Sequence, residues 1–225
     1  MLAIACLLMT IAIYWAIKRL YRLRPVIILS PLLVTPVAVI AILLWSGIPY
    51  ETYNAGTRWL SDMIGPATVA LAVPLYKNAH LLKKHALSIG VSVLAGSTAA
   101  VVSSVWLARE LGLSAEIVDS LAPRSATTPI ALAIAGMSGG LPAMTALFVL
   151  MTGLLGMMIG PAVIRLLKIR GDIARGVLFG TSAHTAGTSK AFEFGAAAGS
   201  ISSIAMILTA FFTLVTAPWI LDLFG

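Results

Sequence analysis

Residues 86–107 read ALSIGVSVLAGSTAAVVSSVWL, 22 positions without a charge, bounded by Lys83, Lys84 and His85 before and by Arg109 and Glu110 after. A helix needs about 20 apolar residues to cross the hydrocarbon core of a bilayer, so this stretch reads as a membrane span. Val26–Trp45 is a second charge-free run. The whole chain agrees with these two. It is 60% hydrophobic and 10% charged, with a mean hydropathy of +1.01, whereas a soluble domain carries roughly 25% charged residues. Too little charge remains to cover a water-facing surface, and buried core helices of a soluble protein do not explain several such runs in one chain.

Outward from these runs, the apolar segments are Met1–Ile17, Val26–Trp45, Ile64–Leu75, Ala86–Leu107, a short Pro129–Met137, Leu141–Ile164, a broken Gly176–Ala198, and Ile201–Phe224. Met1–Ile17 lacks a basic leader and a cleavage site, so it is expected to stay as the first span. The single cysteine, Cys6, lies within it and has no internal disulfide partner. A single domain over residues 1–225 is expected, with N-terminal spans over 1–112 and two broken-segment-plus-span units over 113–225. The net charge of +7 does not point to nucleic acid, because the basic residues sit in short loops without interleaved aromatics.

Those basic residues set the orientation, since cytoplasmic loops are enriched in Lys and Arg. One set of loops holds Lys18, Arg19, Arg22, Arg24, Lys77, Lys83, Lys84, Arg165, Lys168, Arg170 and Arg175. The other holds Arg58, Arg109 and Arg124 with five carboxylates, Glu51, Asp62, Glu110, Glu116 and Asp119. The first set is placed in the cytoplasm and the N-terminus outside. Pro123–Gly140 then has to enter from outside and return, and Gly180–Gly199 has to enter from the cytoplasm and return. Discontinuous spans are the alternative. The expected fold is all-α, with about six full transmembrane helices plus two re-entrant or broken segments. A shift of about 57 residues aligns Ser125-Ala126 with Ser182-Ala183, Thr128 with Thr185, Thr152 with Thr209 and Pro161 with Pro218. Identity is near chance, but the hydropathy matches and the predicted orientations are opposite. Such inverted repeats with broken helices are how many secondary transporters build a substrate site.

Two polar stretches interrupt the apolar chain. In Pro123-Arg124-Ser125-Ala126-Thr127-Thr128-Pro129, Thr128 and Pro129 read as N-cap and first helical residue. The helix start offers free N–H groups and a positive dipole end to an anion, and Arg124 adds a fork suited to a carboxylate. An ordinary capped helix with an interfacial arginine is the plain alternative. In Gly180-Thr-Ser-Ala-His184-Thr-Ala-Gly187-Thr-Ser-Lys190, hydroxyls and ionisable groups lie at membrane depth, where they are costly and mark function by default. Arg124, Ser125, Thr127, Thr128, Ser182, His184, Thr185, Thr188 and Lys190 are the expected substrate-binding residues. His184 and Glu193 are the proton-coupling candidates, and Lys190 is expected to pair with Glu193 along a helix. Gly65, Pro66, Pro129, Gly180 and Gly187 are the expected helix breaks. No metal cluster, G-x-S-x-G elbow or P-loop occurs in the sequence, so neither an enzyme, a metal nor a cofactor is expected.

The stretches at Gly65–Asn78, Ser120–Ala131, Gly139-Gly140 and Gly180–Ala191 together resemble the LrgB/CidB family over nearly the whole chain. Arg124 stands where that family often has lysine. The resemblance implies a multi-pass protein of the bacterial inner membrane, working in an oligomeric assembly with a small holin-like LrgA/CidA partner. Two activities come with it: transport of small carboxylates of the pyruvate, glycolate or glycerate class, and antiholin-like control of murein hydrolases and lysis. The residues favour transport, because a simple pore has no need of two polar breaks.

Overall fold

The computed structural model describes residues 2–23, 29–63, 66, 69–70, 72–77 and 79–224, and among them every regular element is helical. Two compact units divide the chain, residues 1–67 and 68–225.

The first unit holds α1 (Leu2–Leu23), α2 (Pro31–Ser46) and α3 (Tyr50–Asp62). A Cβ on Gly56 would run into the Ala3 backbone, so glycine allows α3 to lie close against α1. Thr10 ties the pair, its Oγ1 lying 3.2 Å from the Tyr53 hydroxyl. The expected span Val26–Trp45 is realised as a 16-residue helix that ends on Gly47 at φ 66°, a left-handed stop that glycine adopts without strain. Helix α3 was not anticipated from sequence. Its Tyr50, Glu51, Asn54, Arg58 and Asp62 read as a loop, and packing on α1 overrides that polarity. Gly65, Thr68 and Arg24 lie outside the described residues. Pro66 is in a helical conformation.

The second unit holds α4 (Ala72–Lys77), α5 (Ala79–Glu110), α6 (Ala115–Leu121), α7 (Thr128–Ser138), α8 (Pro142–Leu166), α9 (Asp172–Phe194) and α10 (Ala196–Phe224). Of the expected span Ile64–Leu75 only part is described, and Ala72–Lys77 is its helix. Counting both units, four helices are long and apolar enough to cross a membrane: Leu2–Leu23, Lys83–Glu110, Pro142–Leu166 and Ala196–Phe224. The expectation of about six full spans is thus met at four among the described residues.

Helices α5 and α10 run parallel. Ile89 and Val93 near the start of α5 pack with Ile201, Ile204 and Ala205. Val101, Val105 and Ala108 near its end pack with Ala217, Ile220 and Leu221. Helix α8 runs the other way, since Leu141 at its start touches Ser120 while Ile164 near its end packs with Phe179 and Ala191.

Between these long helices the chain doubles back twice. Segment 115–138 turns through residues 122–127, which brings Ser120 Oγ within 2.7 Å of the Leu141 N–H that donates to it. Continued straight as one helix, those residues would stand roughly 30 Å apart. Val118 and Ala122 share a core with Ile134 across the hairpin. Helix α9 reverses at a single residue, His184, with φ 38° and ψ −125°. Its two limbs return on each other: the Arg175 guanidinium lies 5.6 Å from the Phe194 ring centroid, and the Phe179 and Phe194 rings are 5.6 Å apart. The first hairpin has its base at the α10 C-terminus, where Asp119 and Ser138 share a recess with Pro218 and Asp222. The second has its base at the opposite end, beside the start of α10.

Candidate functional site

The two hairpin tips meet at a cavity of ≈ 730 Å³, to which the first contributes Arg124 and Ser125 and the second contributes Leu178, Thr181 and Ser182. The facing wall is α5, through Ser88, Ser92, Gly96 and Ala100. These four, with Ser104 beyond them, fall every fourth residue, so they form one helical face of small side chains. Small residues let other backbones come close. At Gly96 the reason is explicit, because a Cβ there would stand 2.9 Å from the Thr181 methyl. The far end of the cavity is formed by Gly171, Ile173 and Ala174, next to the basic 165–175 stretch.

Arg124 is half-buried at the end of this cavity. Its Nε donates to Ser104 Oγ at 2.7 Å and its Nη1 to Thr152 Oγ1 at 3.5 Å. Both partners are neutral. Among the described residues, the ion pairs are Arg175 with Asp172 and Lys190 with Glu193, and none involves Arg124. The guanidinium therefore keeps its charge unbalanced inside a largely apolar pocket, with more donors than its two acceptors use. Thr181 is buried and its Oγ1 has no hydrogen-bond partner, which is costly unless something at the cavity supplies one.

The other expected site residues fall elsewhere. Thr127, not Thr128, is the N-cap of α7, with Thr128 and Pro129 as the first helical residues, and it makes no side-chain cap bond. The shift by one residue follows from proline fitting either early position. Thr127 Oγ1 is buried without a partner. His184 is buried against α8, and its Nε2–H donates to the Val149 carbonyl at 2.9 Å. Its ring fills the space above Gly153, where a Cβ would come within 2.6 Å of it. Thr185 and Thr188 turn to α10: Thr185 Oγ1 meets Met206 Sδ at 3.6 Å and Thr188 Oγ1 meets Ser202 Oγ at 2.9 Å. Lys190 and Glu193 pair at 2.6 Å as expected, away from the cavity lining.

Gly180 and Gly187, expected as breaks, are packing positions inside the limbs. A Cβ on Gly180 would strike the Ser202 carbonyl and come within 2.8 Å of Ala205 Cβ, and one on Gly187 would strike the Phe179 carbonyl and come within 2.6 Å of Ala183 Cβ. The reversal falls instead on His184, a non-glycine residue at positive φ, a rare conformation that its sequence does not announce. Ser104, Thr152 and Thr181 were missed as site residues. The serine spacing along α5 was the available signal for Ser104. For Thr181 the signal was its place in the polar stretch 180–190, whereas Thr152 carried none, since it looks like an ordinary hydroxyl of an apolar helix.

Known proteins match this chain throughout. The protein YwbG of Bacillus subtilis is 50% identical over 98% of both chains, and YxaC of the same organism is 38% identical over 99% of this chain and 97% of its own length. The holin-like protein CidB of Staphylococcus aureus is 34% identical, with the same coverage as YxaC. No solved structure matches. The model of the LrgB-like family matches residues 10–223, and the chain belongs to that family of multi-pass membrane proteins.

Proposed function

We propose that this protein is the membrane subunit of a secondary transporter for small monocarboxylates of the pyruvate, glycolate or glycerate class, acting with a small LrgA/CidA-like partner in the bacterial inner membrane. The observation that carries this reading is Arg124: an arginine without a carboxylate partner among the described residues, at a hairpin tip, facing a cavity that also presents Ser125, Thr181 and Ser182. An apolar cavity with one unbalanced cation and a few hydroxyls takes a small anion with one charge.

The two hairpins support the same reading. Irregular backbone at membrane depth is tolerated where it lines a wet cavity, and we read both hairpins as re-entrant, entering from opposite faces. Their N-caps, Ser114 and Gly171, keep the same shift of about 57 residues that aligns the following long helices, so each hairpin-plus-helix is one half of an inverted repeat. The cavity end at Gly171 lies beside the basic loop, which the positive-inside rule assigns to the cytoplasm.

Coupling is not assigned to His184 or Glu193, because one is bonded to a backbone carbonyl and the other to Lys190. The test is uptake of labelled pyruvate, glycolate and glycerate into vesicles, with and without the holin-like partner. Saturable uptake lost in an Arg124→Ala variant that still inserts supports the carrier. The staphylococcal relative's holin-like name favours a second reading, an antiholin-like regulator of murein hydrolases. Absence of uptake under every gradient, with partner binding intact, would select it.

A further inference from the structure

A second cavity, ≈ 400 Å³, lies on the other side of Arg124. Its lining runs through Leu107, Leu111 and Leu113 toward the turn between α5 and α6, whereas the first cavity runs through Ser88 and Gly171 toward the base of the second hairpin. Among the described residues, Arg124 alone lines both. A third recess, ≈ 360 Å³, adjoins both, sharing Arg124, Leu178 and Ser182 with the first cavity and Arg124, Thr152 and Leu155 with the second. The guanidinium is thus the common wall of spaces that open toward opposite ends of the second unit.

Two side chains fix it there. Ser104 is buried on α5, donates its own proton to the Ala100 carbonyl at 2.5 Å, and so presents a lone pair to Arg124 Nε. Thr152 approaches Nη1 from α8. A long flexible side chain in a cavity samples many rotamers, and two acceptors from two different helices restrict it to one.

We infer that Ser104 and Thr152 are positioning residues that hold the Arg124 guanidinium as the partition between the two cavities, so that one cation meets an anion from either side in turn. This rests on the transport reading for the identity of the anion but not for the partition. Ser104 and Thr152 act through Arg124 and need not touch substrate.

The test places a reporter cysteine in each cavity, Ser92→Cys or Ser103→Cys, in a Cys6→Ala background. A membrane-impermeant anionic thiol reagent is applied from the side of the Lys83 and Arg170 loops. With Arg124 and Ser104 intact, Ser92→Cys is labelled and Ser103→Cys is protected. Adding Arg124→Ala or Ser104→Ala raises labelling of Ser103→Cys by roughly tenfold or more, the size expected for loss of a charge-assisted hydrogen bond. Ser104→Thr, which keeps the hydroxyl, preserves protection. In the uptake assay Ser104→Ala raises KM by roughly tenfold with the maximal rate nearly kept, and Ser104→Thr restores it. Labelling of Ser103→Cys with both residues intact, or protection that survives both replacements in inserted protein, overturns the partition. A barrier that opens on these replacements while no acid is transported supports the partition and sinks the carboxylate reading alone.

Discussion

The two hairpins carry similar limbs and opposite tips. In the first, residues 122–127 form a buried multi-residue turn from which Arg124 projects to Ser104 and Thr152. In the second, one residue turns the chain, and the tip is sealed: His184 is bonded to Val149, and Gly180 and Gly187 press the limbs against α10 and against each other. The first turn spends the Ala122, Arg124 and Ala126 N–H groups on backbone carbonyls but leaves the Arg124 guanidinium with donors beyond its two hydroxyl partners. A one-residue reversal buries its polar groups in the scaffold. The pairing teaches that one tip presents chemistry while the other supplies a rigid wall, with the buried Thr181 and its neighbour Ser182 as its contribution to the cavity.

The comparison breaks most readily at Arg124. Arg124→Ala is expected to lower uptake by about 100-fold or more, as removal of a charge-assisted contact at a binding site does, while Arg124→Lys keeps part of the activity. Vesicle uptake at matched inserted amounts reads this, and an alanine variant of normal rate would show that the first tip presents nothing.

The second tip answers in stability. Gly180→Val is expected to cost about 1–3 kcal/mol through overpacking on α10, read as a fall in the thermal unfolding temperature in detergent. Retained stability would mean that the limbs are not pressed together there.

A finer test separates strain from anchoring at His184. Both His184→Ala and His184→Gly lose the bond to Val149, but glycine also relieves the positive φ. The glycine variant is expected to be the more stable of the two by about 1 kcal/mol. Equal stabilities would remove backbone strain from the account of this tip.

The smallest effect belongs to the ion pair on the second limb. Lys190→Gln is expected to change stability by less than about 0.5 kcal/mol, because Glu193 is well exposed and such pairs contribute little. Uptake should stay unchanged, and a large loss would bring Lys190 back into the substrate site.

By itself the sequence determined the membrane class, the two polar interruptions, Arg124 as the cation at the first of them, and the Lys190–Glu193 pair. All of these follow from local quantities: charge-free run length, helix periodicity, and the cost of an ionisable group among apolar neighbours. Tertiary structure alone decided the rest. Thr185 and Thr188 look equivalent to Ser182 in the sequence, yet a reversal at His184 sends them to α10 and leaves Ser182 at the cavity. Ser104 and Thr152 meet Arg124 from helices 20 and 28 residues away. Which hydroxyl faces which neighbour depends on where the chain turns and which helices then pack together, and that is a long-range outcome that no local window of residues encodes.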